Sequence, residues 1–122
     1  FLFGAGSLGT ALLHDHGLVQ YGLKIVSAFD VNPLVIGHSI GGVSIAHVDE
    51  FVRKNDHGIR IGILTVPAAN AQDVANMMIA NGIKAIWNFT PVRIAVPEGI
   101  VVQNTSLYAH LAVMFNRLNH NN

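Results

Sequence analysis

The first thirteen residues constrain the fold more than any other stretch. They read FLFGAGSLGTALL, which predicts the end of a buried strand, a Gly-x-Gly-x-x-Gly turn and an apolar-periodic helix. In dinucleotide-binding folds, the first glycine (Gly4) permits a tight turn, the second (Gly6) lets backbone approach a pyrophosphate, and the third (Gly9) lets the helix pack on the strand. The N–H groups and positive dipole end at the helix start then hold the phosphates. Because the motif alone is a weak signal, the rest of the chain has to supply its context.

The length of the chain indicates a single domain. A chain of 122 residues is long enough for one sizeable core. Phe1 already lies inside the predicted strand, so we expect the chain to be a fragment of a longer protein. It has no cysteine, no signal peptide and no apolar run long enough to span a membrane. We therefore expect a cytoplasmic location, with neither a disulfide framework nor a thiolate metal site.

The charge content bears on partners. Seven Lys and Arg residues balance seven Asp and Glu residues, so this domain has no basic footprint for nucleic acid. Charged residues make up 11% of the chain, against about 25% in ordinary soluble domains. Two causes fit this low value: a parallel sheet buried on both faces, and surface covered by another molecule. We expect both to apply.

Strand-like and helix-like segments alternate along the chain. Continuous Val/Ile/Leu runs between helical patterns predict an α/β fold with a doubly wound, mostly parallel, Rossmann-like sheet. Pro67 is expected to open a helix at its first position, and Gly82 to close that helix. After the first strand, the predicted strands are 23–30, 43–46, 60–66, 84–89 and 100–104, and the predicted helices are 7–16, 48–55, 67–80 and 105–118.

Asp30 is the first residue that gives the glycine motif a context. It ends the second predicted strand, 21 residues after Gly9, where a dinucleotide fold places the acid that accepts hydrogen bonds from the adenosine ribose. A 2′-phosphate would be repelled there, and no Arg follows at Val31 or Asn32, which favours NAD over NADP. An aspartate at a strand end could equally be a turn or capping residue. Its spacing from this loop favours the cofactor role.

Ligands of doubly wound sheets bind outside the carboxyl ends of the strands. Two further polar blocks follow predicted strands at that edge, Thr65-Val66-Pro67 and Asn88-Phe89-Thr90-Pro91. No residue stands out as a catalytic acid or base. His14 and His16 are two positions apart and cannot share one helical face, so no metal site is predicted. Trp87 is predicted in the core, with an N–H that needs a partner.

Taken together, five blocks resemble the C-terminal domain of the Rex redox-sensing transcriptional repressors, some of which are called AT-rich DNA-binding proteins. The blocks that end in Thr-Val-Pro-Ala and Asn-Phe-Thr-Pro-Val are far more specific than the glycine loop. The resemblance runs from Phe1 to about Leu118. The five blocks are residues 3–9, 29–33, 63–68, 82–92 and 96–104.

The resemblance implies a homodimer that senses NADH and NAD+. NADH would favour a closed form that leaves operator DNA, whereas NAD+ would permit binding. DNA would be bound by an N-terminal winged-helix domain that is absent here, not by this fragment. The implied organisation is a Rossmann-like NAD(H)-binding domain over 1–104, a C-terminal helix over 105–118 exchanged in the dimer, and a polar tail over 119–122.

The resemblance also implies roles for individual residues. The pyrophosphate would lie on the glycine loop, the adenosine ribose at Asp30 and Val31, the dinucleotide along Thr65 to Pro67, and its nicotinamide half near Asn88 to Thr90. Asp15 stands where the family often has Tyr, and Ser106 where it often has Asp; both positions would belong to the redox switch. The loop residues are Gly4, Ala5, Gly6, Ser7, Leu8 and Gly9, and the residues of the dimer helix are Leu107, Leu111, Met114, Phe115 and Leu118.

Two other functions compete with a non-enzymatic sensor. The chain could be the nucleotide domain of an NAD-dependent oxidoreductase, which would need a proton donor at the nicotinamide; His14, Asp15 and His16 are the only candidates. It could also be a CoA-binding domain of the succinyl-CoA synthetase type, which shares the strand–glycine–helix start. That domain would not need Asp30 on a ribose.

Overall fold

The computed structural model describes residues 1–14, 22–53, 58 and 60–105, with Ser7 described in its backbone only. The strands are β1 (Leu2–Phe3), β2 (Ala28–Asp30), β3 (Ser39–Ile40), β4 (Val43–His47), β5 (Ile61–Leu64), β6 (Ala85–Asn88) and β7 (Val101–Asn104). The helices are α1 (Ser7–His14), α2 (Val48–Arg53) and α3 (Ala71–Ala80), and a 3₁₀ turn at Ala68–Asn70 precedes α3. None of these described helices is long and apolar enough to cross a bilayer.

The described strands form one sheet in the order β3-β4-β2-β1-β5-β6-β7. Every neighbouring pair is parallel except β3 and β4. From β1 the chain builds outward on one side through β2 and β4, then crosses back to build the other side from β5. The gap between the ends of β1 and β5 is therefore a topological switch point, where ligands of such sheets bind. This architecture confirms the predicted doubly wound, mostly parallel fold.

Both faces of the sheet are buried, as the continuous apolar strands predicted. One face carries a cluster of phenylalanines from β1, β2 and α2, with ring centroids 4.9–5.7 Å apart. Helix α3 covers the same face with Ala71, Ala75 and Met78. The opposite face packs Leu2 and Ile63 against α1. The sheet is thus fixed from both sides, which holds its carboxyl ends rigidly in place.

Three features differ from the prediction by more than a residue or two at an element's end. Residues 23–27 are not part of β2, although the Ser27 carbonyl accepts from the Leu2 N–H at 3.0 Å and the half-buried Leu23 and Ile25 pack on the core; the apolar pattern marked packing, not a continuous strand. The β3–β4 hairpin was not predicted: Gly41 and Gly42 have φ of 59° and 81°, the paired left-handed conformation of tight hairpins. Pro67 precedes the 3₁₀ turn, and α3 itself begins at Ala71.

Several predictions lie outside the described residues. They include the end of the first helix with Asp15 and His16, and the whole C-terminal helix with its apolar stripe. The dimer and switch residues concerned are Asp15, Ser106, Leu107, Leu111, Met114, Phe115 and Leu118.

Candidate functional site

A cavity of about 820 Å³ opens at the carboxyl ends of β1, β2, β5 and β6. Its volume lies within the usual range for small-molecule and cofactor sites. It spans the switch point between β1 and β5. Most of the predicted cofactor residues line it together: Gly4, Ala5, Gly6, Leu8, Asp30, Val31, Thr65, Val66, Pro67, Phe89 and Thr90.

The three motif glycines have different surroundings. Gly4 has φ of +105°, and an added Cβ would lie 2.7 Å from the Val66 backbone nitrogen. A Cβ on Gly9 would overlap the carbonyl oxygen of Gly4, so Gly9 is where α1 packs on the loop. A Cβ on Gly6 would meet nothing within 4 Å, and Gly6 lines the cavity. Gly4 and Gly9 therefore build the loop, whereas Gly6 leaves backbone open to a ligand.

Thr65 anchors the glycine loop to the neighbouring strand. Its buried hydroxyl lies 2.6 Å from the carbonyl oxygen of Gly4 and 2.9 Å from that of Phe3, so the two carbonyls share its single proton. Its backbone N–H also donates to the Phe3 carbonyl at 2.9 Å. Buried polar groups held in this way rigidify their surroundings. Thr65 therefore sets where the loop stands as well as lining the cavity.

Asp30 is bound to the glycine loop across the crevice between β1 and β2. Its Oδ2 accepts from the Ala5 N–H at 2.7 Å, and its Oδ1 accepts from the N–H groups of Val31 at 2.6 Å and Asn32 at 3.0 Å. A carboxylate offers about four acceptor positions. Three are used, so one position on Oδ2 is left for a hydroxyl donor in the cavity. Asp30 thus acts both as a turn residue and as an acceptor facing the site.

Asn88 is placed differently from the other predicted contacts. It is fully buried and lies behind the wall rather than in the cavity lining. Its side chain accepts from the N–H and hydroxyl of Thr90, and Thr90 with Phe89 forms the wall. Trp87 is half-buried and packs against Phe89 in a tilted arrangement, with ring centroids 4.7 Å apart, and its N–H donates to the Thr105 hydroxyl at 2.8 Å. The predicted need of the Trp87 N–H for a partner is thereby confirmed.

The electrostatics of the cavity restrict the ligands it can take. Asp30 and Asp73 are the charged residues among its described lining, which contains no Lys or Arg. A phosphate here must be held by backbone N–H groups and the dipole at the start of α1, where the Gly6 carbonyl accepts from Thr10 N–H at 2.8 Å. A ligand with further phosphates would meet carboxylates instead of cations. The lining favours a ligand whose negative charge is confined to one pyrophosphate.

Sequence reasoning missed one side of the cavity. Asp73 and Val74 from α3, with Asn70 before it and Val48 after β4, also line the site. Val48, Val66 and Val74 pack on the same core cluster and give this end an apolar surface, of the kind that suits a planar ring. The available signal was topological: a helix that follows β5 begins at the same sheet edge as Thr65. Among the described residues there is no group of three potential metal ligands.

Comparisons with known proteins agree with the fold and the site described above. The family model described as "CoA binding domain" matches residues 1–92. The chain is 63% identical, over 99% of its length, to the redox-sensing transcriptional repressor Rex of Bacteroides fragilis, and covers 56% of that protein. The chain belongs to the CoA-binding domain family. It spans a little over half the length of the curated relatives it matches.

Solved structures give the same relationship in three dimensions. The chain matches RSP, a Rex-family repressor, in a complex with beta-NADH, with a TM-score of 0.83, 35% identity, and coverage of 98% of this chain and 58% of that one. A complex of RSP with beta-NAD+ and operator DNA matches with the same TM-score and identity, covering 98% and 56%. The Rex resemblance deduced from the five sequence blocks is confirmed.

Proposed function

We propose that this chain is the NAD(H)-sensing part of a redox-responsive transcriptional repressor, in which NADH favours release from operator DNA. The observation that carries the proposal is the Asp30 carboxylate, which is hydrogen-bonded to the glycine loop and lines a cavity whose described lining contains no basic residue. The RSP complexes with NADH, and with NAD+ and operator DNA, support it.

The residues of the cavity fit a dinucleotide. Open backbone at Gly6 and the start of α1 would hold the pyrophosphate, with Ser7, Leu8 and the loop closed by Gly9. Asp30 would accept from an adenosine ribose hydroxyl beside Val31. Thr65 to Pro67 would border the dinucleotide, and the wall of Phe89 and Thr90, positioned by Asn88, would face the nicotinamide half. When bound, the nicotinamide supplies the oxidised or reduced state that the domain distinguishes.

A regulatory role agrees with the chemistry of the lining. The carboxylates in the described lining are Asp30, which accepts from three backbone N–H groups, and Asp73 of α3. The described lining contains no His, Lys or Arg, and Phe89 and Thr90 of the wall carry no acid or base. We therefore propose a sensor and not an oxidoreductase. CoA carries a phosphate on its ribose in addition to its pyrophosphate. The Asp30 carboxylate would repel this ribose phosphate.

The wider organisation belongs to the same proposal. Residues 1–104 would form the cofactor domain, 105–118 a helix exchanged in a homodimer, and 119–122 a polar tail. Leu107, Leu111, Met114, Phe115 and Leu118 would build the dimer contact, and Asp15 and Ser106 would belong to the switch. A winged-helix domain outside this chain would bind operator DNA in the cytoplasm.

The experiment uses the intact protein and DNA fragments selected by it in the presence of NAD+. Release of these fragments is followed by fluorescence anisotropy during titration with NADH. We expect NADH to weaken DNA binding by at least about fivefold, the lower end of ordinary allosteric coupling. DNA binding that ignores NADH, or turnover of NADH with a carbonyl compound, would contradict the proposal.

A further inference from the structure

The side chain of Asn88 uses its whole hydrogen-bonding capacity. It is fully buried at the end of β6. Its Nδ2 donates to the Val92 carbonyl at 2.7 Å and to Asn104 Oδ1 at 3.0 Å. Its Oδ1 accepts from the Thr90 N–H at 3.0 Å and the Thr90 hydroxyl at 2.7 Å. An amide side chain has two donors and two acceptor positions, so none is spare.

These bonds add side-chain links between two regions that the sheet already places side by side, because Asn88 and Asn104 are register partners in the β6–β7 ladder. On one side lies the cavity wall, where Phe89, Thr90 and Pro91 line the site. The turn in this wall is closed by Val92, whose N–H donates to the Thr90 hydroxyl at 3.3 Å. On the other side lies the end of β7 at Asn104. The Asn88 amide is the direct bridge between them.

A second route runs parallel to the first. The Thr105 N–H donates to the Asn88 carbonyl at 2.9 Å. The Thr105 hydroxyl accepts from Trp87 Nε1 at 2.8 Å, and the Trp87 ring packs at a tilt against Phe89 of the wall. Both routes reach Asn104 and Thr105, the last two residues that the structure describes. They therefore end where the chain leaves the sheet.

We propose that Asn88 is a positioning residue that couples the wall at Phe89–Pro91 to the chain exit at Asn104–Thr105. A ligand that displaces Thr90 would leave buried donors and acceptors unpaired unless Asn88 and Asn104 moved with it. Leaving a buried polar group unpaired costs more than moving a satisfied network as a unit. Filling the cavity at this wall thus changes the conformation at the exit, Asn104–Thr105. The inference rests on the proposed function, because NADH is the ligand.

A purely structural role for the same network predicts something different. If Asn88 only ties strand ends together, breaking one bond lowers stability and leaves the response to ligand intact. A coupling role predicts that the response is lost while ligand affinity is kept. The test therefore needs a variant that removes one hydrogen bond of Asn88. The variant must change neither the cavity lining nor Asn88 itself.

Asn104→Ala meets these requirements. Asn104 is exposed, does not line the cavity, and its side chain accepts from Asn88 Nδ2. Gln103→Ala is the matched control, on the neighbouring exposed position of the same strand. Asn104→Asp restores an acceptor oxygen at the same place and tests rescue by a conservative change.

Hydrogen exchange is measured by mass spectrometry in the intact protein, on peptides that cover residues 101–118, with and without saturating NADH. In the unsubstituted protein, Gln103→Ala and Asn104→Asp, NADH is expected to change exchange in these peptides by about fivefold or more. In Asn104→Ala the change is expected to be lost. The Kd for NADH should stay within about twofold in all four proteins, because neither Gln103 nor Asn104 lines the cavity.

The outcomes separate this inference from the function on which it rests. A full response in Asn104→Ala would overturn the coupling role of Asn88. NADH binding without any exchange response in the unsubstituted protein would overturn it too, and would leave cofactor binding standing. Failure of the intact protein to bind NADH at all would overturn both proposals.

Discussion

Two alanine substitutions in one loop should have opposite consequences. Gly6 and Gly9 belong to the same motif, but the space beside Gly6 is open while a Cβ on Gly9 would overlap the Gly4 carbonyl oxygen. Gly6→Ala should therefore preserve the fold and weaken NADH binding. Gly9→Ala should destabilise the fold itself. The pair separates a ligand-facing glycine from a packing glycine.

The magnitudes follow from these surroundings. Gly9 lies inside α1, where alanine gains up to about 1 kcal/mol over glycine in helix propensity. Overpacking against rigid backbone costs about 1–3 kcal/mol or more, so we expect a net loss of about 1–2 kcal/mol. Near this chain length that corresponds to a fall of about 4–8 °C in Tm.

Gly6→Ala should change the free energy of unfolding only slightly. Gly6 is the residue before α1, and replacing glycine by alanine at such a position costs less than about 1 kcal/mol. The new methyl group would keep a phosphate from the backbone N–H groups. Losing one charge-assisted hydrogen bond costs about 1.5–3 kcal/mol, which is about a 10- to 150-fold rise in the Kd for NADH.

Thermal unfolding followed by circular dichroism gives Tm, and isothermal titration calorimetry gives Kd. Gly6→Ala with unchanged Tm and unchanged NADH affinity would refute the assignment of the open backbone to the pyrophosphate. Gly9→Ala with a Tm equal to that of the unsubstituted chain would refute the packing argument.

Further predictions concern Asp30 and its neighbours. Asp30→Asn should reduce the preference for NADH over NADPH by about tenfold, because the charge that repels a 2′-phosphate is gone. Calorimetric titrations that gave the same ratio of NADH to NADPH affinity before and after the substitution would contradict this. Val31→Arg, at a position 60% exposed, should strengthen NADPH binding by about tenfold through an added phosphate partner, and Val31→Leu is its uncharged control. Thr65→Val removes the hydroxyl that holds Gly4 and Phe3 and should lower stability by about 1–2 kcal/mol in urea unfolding; a midpoint within error of the unsubstituted chain would show that the hydroxyl does not anchor the loop.

The sequence allowed prediction of the sheet and of the ligand-bearing edge. Strong local signals produced this success: three glycines at fixed spacing, an acid at the end of the second strand, and apolar runs too continuous for a half-exposed sheet. Parallel strands then place Asp30, Thr65 and Phe89 at one edge without further information. These are properties that short stretches of sequence encode directly.

What could not be predicted depends on packing between distant segments. Leu23 and Ile25 look like strand residues because they are apolar and pack on the core, but pairing depends on which neighbour lies alongside. Whether Asn88 faces the ligand or stands behind the wall depends on Asn104, sixteen positions away in sequence. The contribution of Asp73 depends on how α3 packs on the sheet.

We propose that this cavity selects NAD(H) by backbone contacts to one pyrophosphate and by the Asp30 carboxylate. Calorimetric titration of the chain with NADH, NADPH and CoA under identical salt conditions tests this selectivity. We expect NADH to bind at least about tenfold more tightly than either of the others. Binding of NADPH or CoA as tight as that of NADH would contradict it.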